Sequence, residues 1–381
     1  MNRLLNTSVC LTFTACCIFL SACSAQNIAP PRANAETQAT PIPSNDVVIT
    51  IAAVGDIMLG STSINETFLP PNDGRDGLKA VTPILAAADI AFGNLEGPLV
   101  DGGISTKCPP PKPLKPGEAA KPVRCFAFRS PTRYGKYLKD AGFDVLSIAN
   151  NHASDFGDQG RSSTRKVLDG LAIAHAGGNR GSYAIAVIES KGRKIAFIGF
   201  AHNAINPNIN ELDAAAQLVR NAKKRADLVV VSFHGGAEGE NSQNVPRATE
   251  IFFGEKRGNL PLFAKTVVDA GADLVLGHGP HVLRGMEIYK DRLIVYSMGN
   301  FATYGMFNLK GAQGLTGIFE INLASDGKFV SGKIHSGKQP GRGMPELDKT
   351  GEAMRKIRSL SQADFPATAP KIADDGTISP K

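Results

Sequence analysis

The fold is decided by the stretch Phe143-Asp144-Val145-Leu146-Ser147-Ile148-Ala149-Asn150-Asn151-His152. It begins as a run of apolar and β-branched residues, which is typical of a buried strand. It ends in two amides and an imidazole. Loops at the carboxyl ends of strands in an open α/β sheet face a crevice, so polar side chains gathered there favour a functional site. A loop that only satisfies its own backbone with Asn and Asp side chains is the alternative interpretation.

The two ends of the 381-residue chain differ in character from its centre. Residues 1–22 carry a basic residue near the start and then an apolar run too short to span a membrane, which is typical of a secretory signal. Residues 23–46 contain almost no large apolar side chain, so we expect a disordered tether. One large domain is expected over residues 47–340. Residues 341–381 are expected to form a C-terminal helix and a flexible tail.

Two of the six cysteines lie inside the expected large domain. Cys108 and Cys125 bracket a loop rich in Pro and Lys that shows no secondary-structure pattern. An even pair of cysteines in an exported chain predicts a disulfide, Cys108–Cys125.

The formal net charge of +7 is modest for a chain of this length. It is compatible with an anionic substrate or an anionic surface, and a solvated basic face is the alternative explanation. The sequence contains nothing that resembles a nucleic-acid-binding module, so we expect no nucleic-acid partner.

From residue 47 onward, predicted strands and helices alternate along the chain. This order, with short connections between the elements, is typical of an α/β fold with right-handed crossovers. Two neighbouring strands, 182–189 and 194–200, are predicted to form a hairpin, which makes a mixed sheet the expected arrangement.

Five or six of the predicted strands end in a short polar motif. Carboxylate, amide and imidazole groups without a thiolate form the ligand set of Zn, Mn or Fe(II). Each motif taken alone has a structural alternative, because a single buried His or Asp is commonly satisfied by hydrogen bonds. The candidate metal ligands are Asp56, Glu96, Asn151, His234, His278 and His281.

The order of the motifs resembles the bacterial capsule synthesis family, also called the CapA, poly-γ-glutamate capsule or PGA_cap group. The resemblance runs from about residue 49 to residue 301. The motifs are Gly-Asp-x-Met-Leu-Gly at 55–60, Gly-Asn-Leu-Glu at 93–96, Ala-Asn-Asn-His-x-x-Asp-x-Gly at 149–157, His-x-Gly-x-Glu at 234–238, Gly-His-x-Pro-His at 277–281 and Ser-x-Gly-Asn-Phe at 297–301.

That family in turn resembles the calcineurin-like metallophosphoesterases. The resemblance implies a metallophosphatase-like fold: a four-layer α/β/β/α sandwich with mixed sheets, built as a single large domain. It also implies a centre of one or two divalent ions at the strand ends. Met58 and Asn94 stand where that superfamily has a histidine and an aspartate ligand, so two ligands of its dimetal centre are missing or replaced in this sequence.

The resemblance also implies a role for individual side chains. Glu96 stands near the position of a bridging carboxylate, and a role as general base is the alternative for the same side chain. His152 matches a histidine that protonates a leaving group, and Asp155 is expected to hold it in place. The residues expected to brace the site by hydrogen bonds are Asn94, Asn150, Glu238, Ser297 and Asn300.

Leu20-Ser21-Ala22-Cys23 resembles the lipobox of bacterial lipoproteins. The resemblance implies that the signal is cleaved before Cys23, which then carries lipid. The chain is then an exported lipoprotein, anchored to the cell membrane or an outer membrane and facing the periplasm or the exterior. An ordinary secretory signal with an incidental cysteine is the alternative.

Two functional hypotheses follow from these features. The first is a metal-dependent hydrolase that uses Mn, Zn or Fe and acts on a phosphoester or on an amide of an anionic polymer, poly-γ-glutamate. The second is a non-catalytic component that binds or guides the polymer for a membrane-bound synthase complex. The same carboxylates and imidazoles serve either role, so the sequence leaves both open.

Overall fold

The computed structural model describes residues 47–108, 125–181 and 183–381. The expected signal peptide, the expected lipid attachment point Cys23 and the expected tether lie outside the described residues. None of the described helices combines the length and the apolar character that crossing a membrane requires.

Strands and helices alternate over most of the described chain. The strands are β1 Val48–Met58, β2 Ile90–Leu95, β3 Val145–Ser147, β4 Ala174–Ala176, β5 Ile185–Ser190, β6 Arg193–Ala201, β7 Leu228–His234, β8 Glu250–Phe252, β9 Glu255–Gly258, β10 Leu274–His278, β11 Met286–Tyr289, β12 Arg292–Val295, β13 Asn300–Thr303, β14 Leu315–Ala324, β15 Phe329–Lys338, β16 Glu346–Leu347, β17 Lys371–Ile372 and β18 Thr377–Ser379. The α-helices are α1 Thr82–Leu85, α2 Gly135–Asp140, α3 Gly157–Gly170, α4 Leu212–Lys223, α5 Leu260–Asp269 and α6 Glu352–Asp364.

Two mixed sheets form the centre of the domain. The first has the order β17-β18-β15-β14-β1-β2-β3-β4, with β13 also paired to β1 and β16 to β15. The second has the order β11-β12-β10-β7-β6-β5. In the first sheet β1 is parallel to β2 and antiparallel to β14, and in the second β6 is parallel to β7 and antiparallel to β5. The predicted hairpin of β5 and β6 is therefore confirmed.

Three apolar layers hold the sheets and helices together. The two sheets face each other across a core in which Phe92 stacks on Phe197, with ring centroids 5.4 Å apart. The outer face of the second sheet packs on α4 and α5 through side chains such as Phe263. The outer face of the first sheet packs on α1, α2 and α3 through Leu85, Leu138 and Leu168. Each fully buried side chain of this size stabilises the fold by about 1.5–3 kcal/mol. The expected four-layer α/β/β/α sandwich is confirmed.

The C-terminal residues differ from the expectation. We expected a flexible tail after α6, but β18 pairs with both β15 and β17. Ile378 is fully buried, and Ile372 and Ile378 both pack into the core between the sheets. The expectation was wrong because these strands are too short to show an alternating pattern, so their pairing and the burial of the two isoleucines leave no periodic signal in the sequence.

Candidate metal centre

The candidate ligands meet because the ends of parallel strands are in register. In the first sheet Asp56 of β1 lies opposite Asn94 of β2 and opposite Asn300 of β13. In the second sheet His278 of β10 lies opposite His234 of β7. Because the two sheets face each other, both sets of side chains enter one crevice at the carboxyl ends of the strands.

Glycines allow the backbone to approach closely around this crevice. A Cβ at position 55 would lie 2.0 Å from Gly299 O, so the residue before Asp56 has to be glycine. His281 has a φ of 57°, the left-handed region that a non-glycine residue adopts at a cost of about 1–3 kcal/mol. Strain of this kind persists where the surrounding structure holds the residue in place, as at functional sites.

Asp56 is fully buried and contacts two imidazoles. Its Oδ2 lies 3.1 Å from His281 Nδ1, and its Oδ1 lies 3.4 Å from His278 Nδ1. Asn94 Nδ2 donates a 2.8 Å hydrogen bond to Asp56 Oδ1. Burial alone would raise the pKa of Asp56, but its close contacts with the His278 and His281 rings outweigh burial and hold the pKa well below its usual value.

Glu96 follows β2 and stands at the centre of three imidazoles. Its Oε1 lies 3.8 Å from His281 Nε2 and 3.9 Å from the Nε2 atoms of His152 and His234. These separations are too long for hydrogen bonds. Burial raises the pKa of Glu96 well above its usual value, and the negative charge of Asp56 adds to that effect.

The donor set fits a divalent cation. Asp56, Glu96 and His281 place ligand atoms within 4.8 Å of one another. Buried polar atoms without a partner cost about 1–3 kcal/mol each, so several in one crevice indicate a ligand. Among the described residues, the atoms here that lack a hydrogen-bond partner include Glu96 Oε1 and Oε2, Asn151 Oδ1, His234 Nε2 and His278 Nε2.

The charges in the crevice also favour a cation. Burial alone would lower the pKa of His281, but Glu96, Asp56 and Glu238 raise it to about 10. Burial lowers the pKa of His234 well below its usual value. A proton on His281 therefore supplies the positive charge that the carboxylates require when no cation is bound.

His152 is held beside this set by contacts on two sides. Its Nδ1 lies 2.7 Å from Asp155 Oδ2, as expected for a carboxylate that orients the ring. The ring stacks on Phe128, with centroids 3.9 Å apart. Its pKa is lowered because burial outweighs the charge of Asp155. Nε2 is the nitrogen that faces Glu96.

Residues 50–304 match the family model described as Bacterial capsule synthesis protein PGA_cap. The chain belongs to this family. It is 33% identical over 277 residues to the PGA biosynthesis protein CapA of Bacillus subtilis (strain 168), covering 68% of this chain and 64% of that protein. It is 31% identical over 271 residues to the capsule biosynthesis protein CapA of Bacillus anthracis, covering 66% of this chain and 59% of that protein. The chain thus spans less than two thirds of the length of these two relatives.

One solved structure with a similar arrangement of elements is the purple acid phosphatase PPD1 from yellow lupin seeds. The match covers 87% of this chain and 58% of that chain, at 10% identity and a TM-score of 0.39. A structural similarity and a sequence identity this low support no conclusion about the chemistry of this chain.

The side chains expected to brace the site do make hydrogen bonds around it. Asn150 Nδ2 donates to Leu95 O at 2.8 Å, which ties the loop after β3 to the end of β2. Asn300 Nδ2 donates to His281 O at 3.3 Å. The remaining contacts are Ser297 Oγ to Val282 O at 2.7 Å, Arg257 Nη1 to Glu238 Oε1 at 2.7 Å, and Glu238 Oε2 to His281 Nε2 at 3.9 Å.

Some residues of the site were missed by the sequence reasoning. His202 and Asn203 follow β6 directly, so the strand-end rule applied to that strand would have found them. Asn203 Nδ2 donates to Asn150 O at 2.9 Å, and the His202 ring lies 6.2 Å from that of His234. Burial lowers the pKa of His202 to about 4. Phe307, which packs 5.1 Å from His281, comes from a loop with no comparable signal.

Cys108 and Cys125 are joined by a disulfide, and their Cα atoms are 5.7 Å apart. The bond lies close to the site, because Ser105 Oγ and Thr106 N both donate to Asp155 O, at 3.0 and 2.9 Å. Lys107 also contacts the site. Neither its charge nor its position in the sequence predicted this contact.

Proposed function

We propose that this PGA_cap-family protein is a metal-dependent hydrolase that acts on an anionic substrate at the cell envelope. The observation that supports this proposal is the position of His152. Its Nδ1 contacts Asp155 while its Nε2 faces Glu96, whose carboxylate oxygens have no hydrogen-bond partner among the described residues. Metal-assisted hydrolysis requires a proton donor, a carboxylate and a set of cation ligands. An oriented imidazole beside a buried carboxylate and a cation-binding donor set meets these requirements.

In this proposal Asp56, Glu96 and His281 hold the ion, and Asn151, His234 and His278 complete its ligands. A Mn, Zn or Fe ion held by these residues would supply Lewis-acid chemistry, which polarises a substrate oxygen and activates water as a nucleophile. The side chains at positions 58 and 94 support one ion rather than two, because Met58 is a weak ligand and Asn94 donates its amide to Asp56.

Two side chains move protons in the proposed reaction. Glu96 accepts a proton from the attacking water in the alternative in which its carboxylate is not a ligand of the ion. His152 Nε2 delivers a proton to the leaving group, while Asp155 keeps the ring in position. Burial lowers the pKa of this ring in the free protein, and an anionic substrate beside it favours the protonated form.

The substrate we propose is a phosphoester or an amide bond of poly-γ-glutamate. The second choice is supported by the name of the Bacillus subtilis relative, a PGA biosynthesis protein. We also propose a membrane-bound synthase complex as the partner of the domain. A purely polymer-binding role is the competing proposal. Met58 favours this role, because methionine is a weak metal ligand and stands where the wider superfamily has a histidine.

The proposed function predicts turnover by the metal-loaded protein. We expect purified protein loaded with Mn, Zn or Fe to contain about one ion per chain and to hydrolyse a generic phosphodiester or poly-γ-glutamate. Elemental analysis and product release measure the two quantities on the same sample. The control is the same sample after chelation and again after reloading. Bound metal without turnover of either substrate would contradict the hydrolase and support the polymer-binding role.

The proposed lipid anchor predicts that Cys23→Ser moves the protein into the soluble fraction. Acyl chains supply about 0.8 kcal/mol of membrane affinity per buried CH₂, and a tether rich in Ala and Pro supplies none. Membrane fractionation of the full chain expressed in a bacterial host measures the distribution. Cys17→Ser is the matched control, because that cysteine lies in the proposed signal, six positions before Cys23. Equal membrane association of both variants would refute the anchor.

A further inference from the structure

Lys107 contacts the pair formed by His152 and Asp155. Its Nζ lies 3.2 Å from His152 Nδ1, 3.4 Å from Asp155 Oδ1 and 3.4 Å from Asn151 O. The side chain of Asp155 is fully buried, whereas that of Lys107 is 34% exposed. A carboxylate that is fully buried needs a countercharge. Lys107 is therefore placed to balance the charge of the carboxylate that orients His152.

Phe128 contacts the same pair from the other side. Its ring stacks on His152, and its backbone N donates a 2.7 Å hydrogen bond to Asp155 Oδ2. Its position is fixed further by the next residue, because Arg129 N donates to Ser61 Oγ at 2.9 Å. This side of the pair is thus held by the folded domain itself.

The disulfide joins the two sides. Cys108 directly follows Lys107, and Cys125 precedes Phe128 by three residues. Cys125 Sγ lies 3.6 Å from Lys107 O. The direct backbone bond of Lys107 to the site is long, 3.4 Å from its N to Asp155 O. Thr106 N, one residue earlier, makes the shorter bond to Asp155 O at 2.9 Å, so the covalent link to Cys125 adds a second restraint on the other side of Lys107.

We propose that Lys107 is a positioning residue for His152 and that the Cys108–Cys125 disulfide holds it against the His152–Asp155 pair. The proposal rests on the proposed hydrolase function. It separates proton delivery from ion binding, because Lys107 contacts the side chains of His152 and Asp155 but only the backbone oxygen of the proposed ligand Asn151. Loss of Lys107 or of the disulfide then weakens turnover and leaves the bound ion in place.

The first experiment compares Lys107→Ala, Lys107→Arg and Lys136→Ala in the metal-loaded protein. Lys136 is the matched control, since it also pairs with a carboxylate, Asp140, at 2.6 Å on the surface. We expect Lys107→Ala to lower kcat about tenfold with little change in KM or in metal content, because a displaced proton donor loses alignment. Lys107→Arg should recover part of the loss. Unchanged kcat in Lys107→Ala, or a parallel loss of metal, overturns the proposal.

The second experiment reduces the disulfide with a dithiol, which supplies two electrons and two protons and leaves two thiols. Cys125 is exposed, so the bond is accessible to the reagent. We expect reduction to lower kcat severalfold in the parent protein and by less than twofold in Lys107→Ala, because both changes remove the same contact. Equal losses in the two backgrounds overturn the role of the disulfide. The Cys108→Ser/Cys125→Ser variant, treated with the same dithiol, controls for effects elsewhere.

A third readout does not depend on turnover. In the Zn-loaded protein, the ring-nitrogen NMR shifts of His152, assigned through His152→Gln, report which nitrogen carries the proton. We expect Lys107→Ala and reduction to shift these signals in the same direction while those of His335 stay unchanged. If the His152 signals are identical in all samples, the positioning role is refuted even where the protein proves to be a hydrolase. If they shift and no substrate is hydrolysed, the hydrolase fails and the positioning contact stands.

Discussion

Asp56→Asn, His278→Ala and His281→Ala should each weaken metal binding by about 10- to 100-fold or more while the protein stays folded. The three residues lie in one contact set, with Asp56 3.1 Å from His281 and 3.4 Å from His278. Removing one donor leaves the ion with fewer bonds and leaves the neighbouring donors less well oriented. Asp56→Asn is preferable to alanine, because it keeps the shape of a fully buried side chain and removes only its charge.

Metal titration followed by elemental analysis measures the loss, and thermal unfolding with and without a chelator shows whether the fold survives. An ion at one hundred times its Kd stabilises the folded state by about 2.7 kcal/mol, so the parent should lose melting temperature on chelation and the variants should lose less. His335→Ala is the matched control, because His335 contacts Glu320 at the same 3.1 Å distance but lies on β15. Full metal retention in all three variants would show that the cluster is structural.

The same site predicts the direction of the pH dependence. His281 has a pKa raised to about 10, so below that pH its ring carries a proton that an ion must displace. Bound metal should therefore decrease as the pH falls, and binding should release protons.

The strand-end motifs could be predicted from the sequence because a buried parallel strand leaves a clear signal. Apolar runs stop at Asp56 and Asn150 in the first sheet and at His234 and His278 in the second, and register places His278 opposite His234. The position of Glu96 just after β2 follows from the same rule.

Other parts of the site carry no such signal. Lys107 and Phe128 reach His152 from loop segments on either side of the disulfide, and their proximity depends on long-range folding and not on any local period. The two-residue strand β17 and the three-residue strand β18 are likewise shorter than any window in which alternation can be recognised. Their order comes from tertiary burial, as at Ile378.

His152→Gln should keep the ion and lose turnover, which separates it from the ligand variants. His152 Nε2 lies 3.9 Å from Glu96, and its Nδ1 is occupied by Asp155, so the ring is placed to serve a reacting group while other side chains hold the cation. General acid–base groups contribute about 10²- to 10⁴-fold to rates, and we expect kcat to fall by that amount. Metal content, measured on the same preparation, should stay within about twofold of the parent.

The matched control for this prediction is His175→Gln. His175 also pairs with an aspartate, with Nε2 3.0 Å from Asp169 Oδ1, and its substitution should leave kcat unchanged. A substrate with a leaving group that needs no proton, such as a nitrophenolate, should be much less sensitive to His152→Gln than one with an alkoxide or amine leaving group. Equal losses with both kinds of substrate would contradict proton donation by His152. If His152→Gln lost both its bound metal and its turnover, His152 would instead be a metal ligand. The ring would then act on the ion and not on the leaving group.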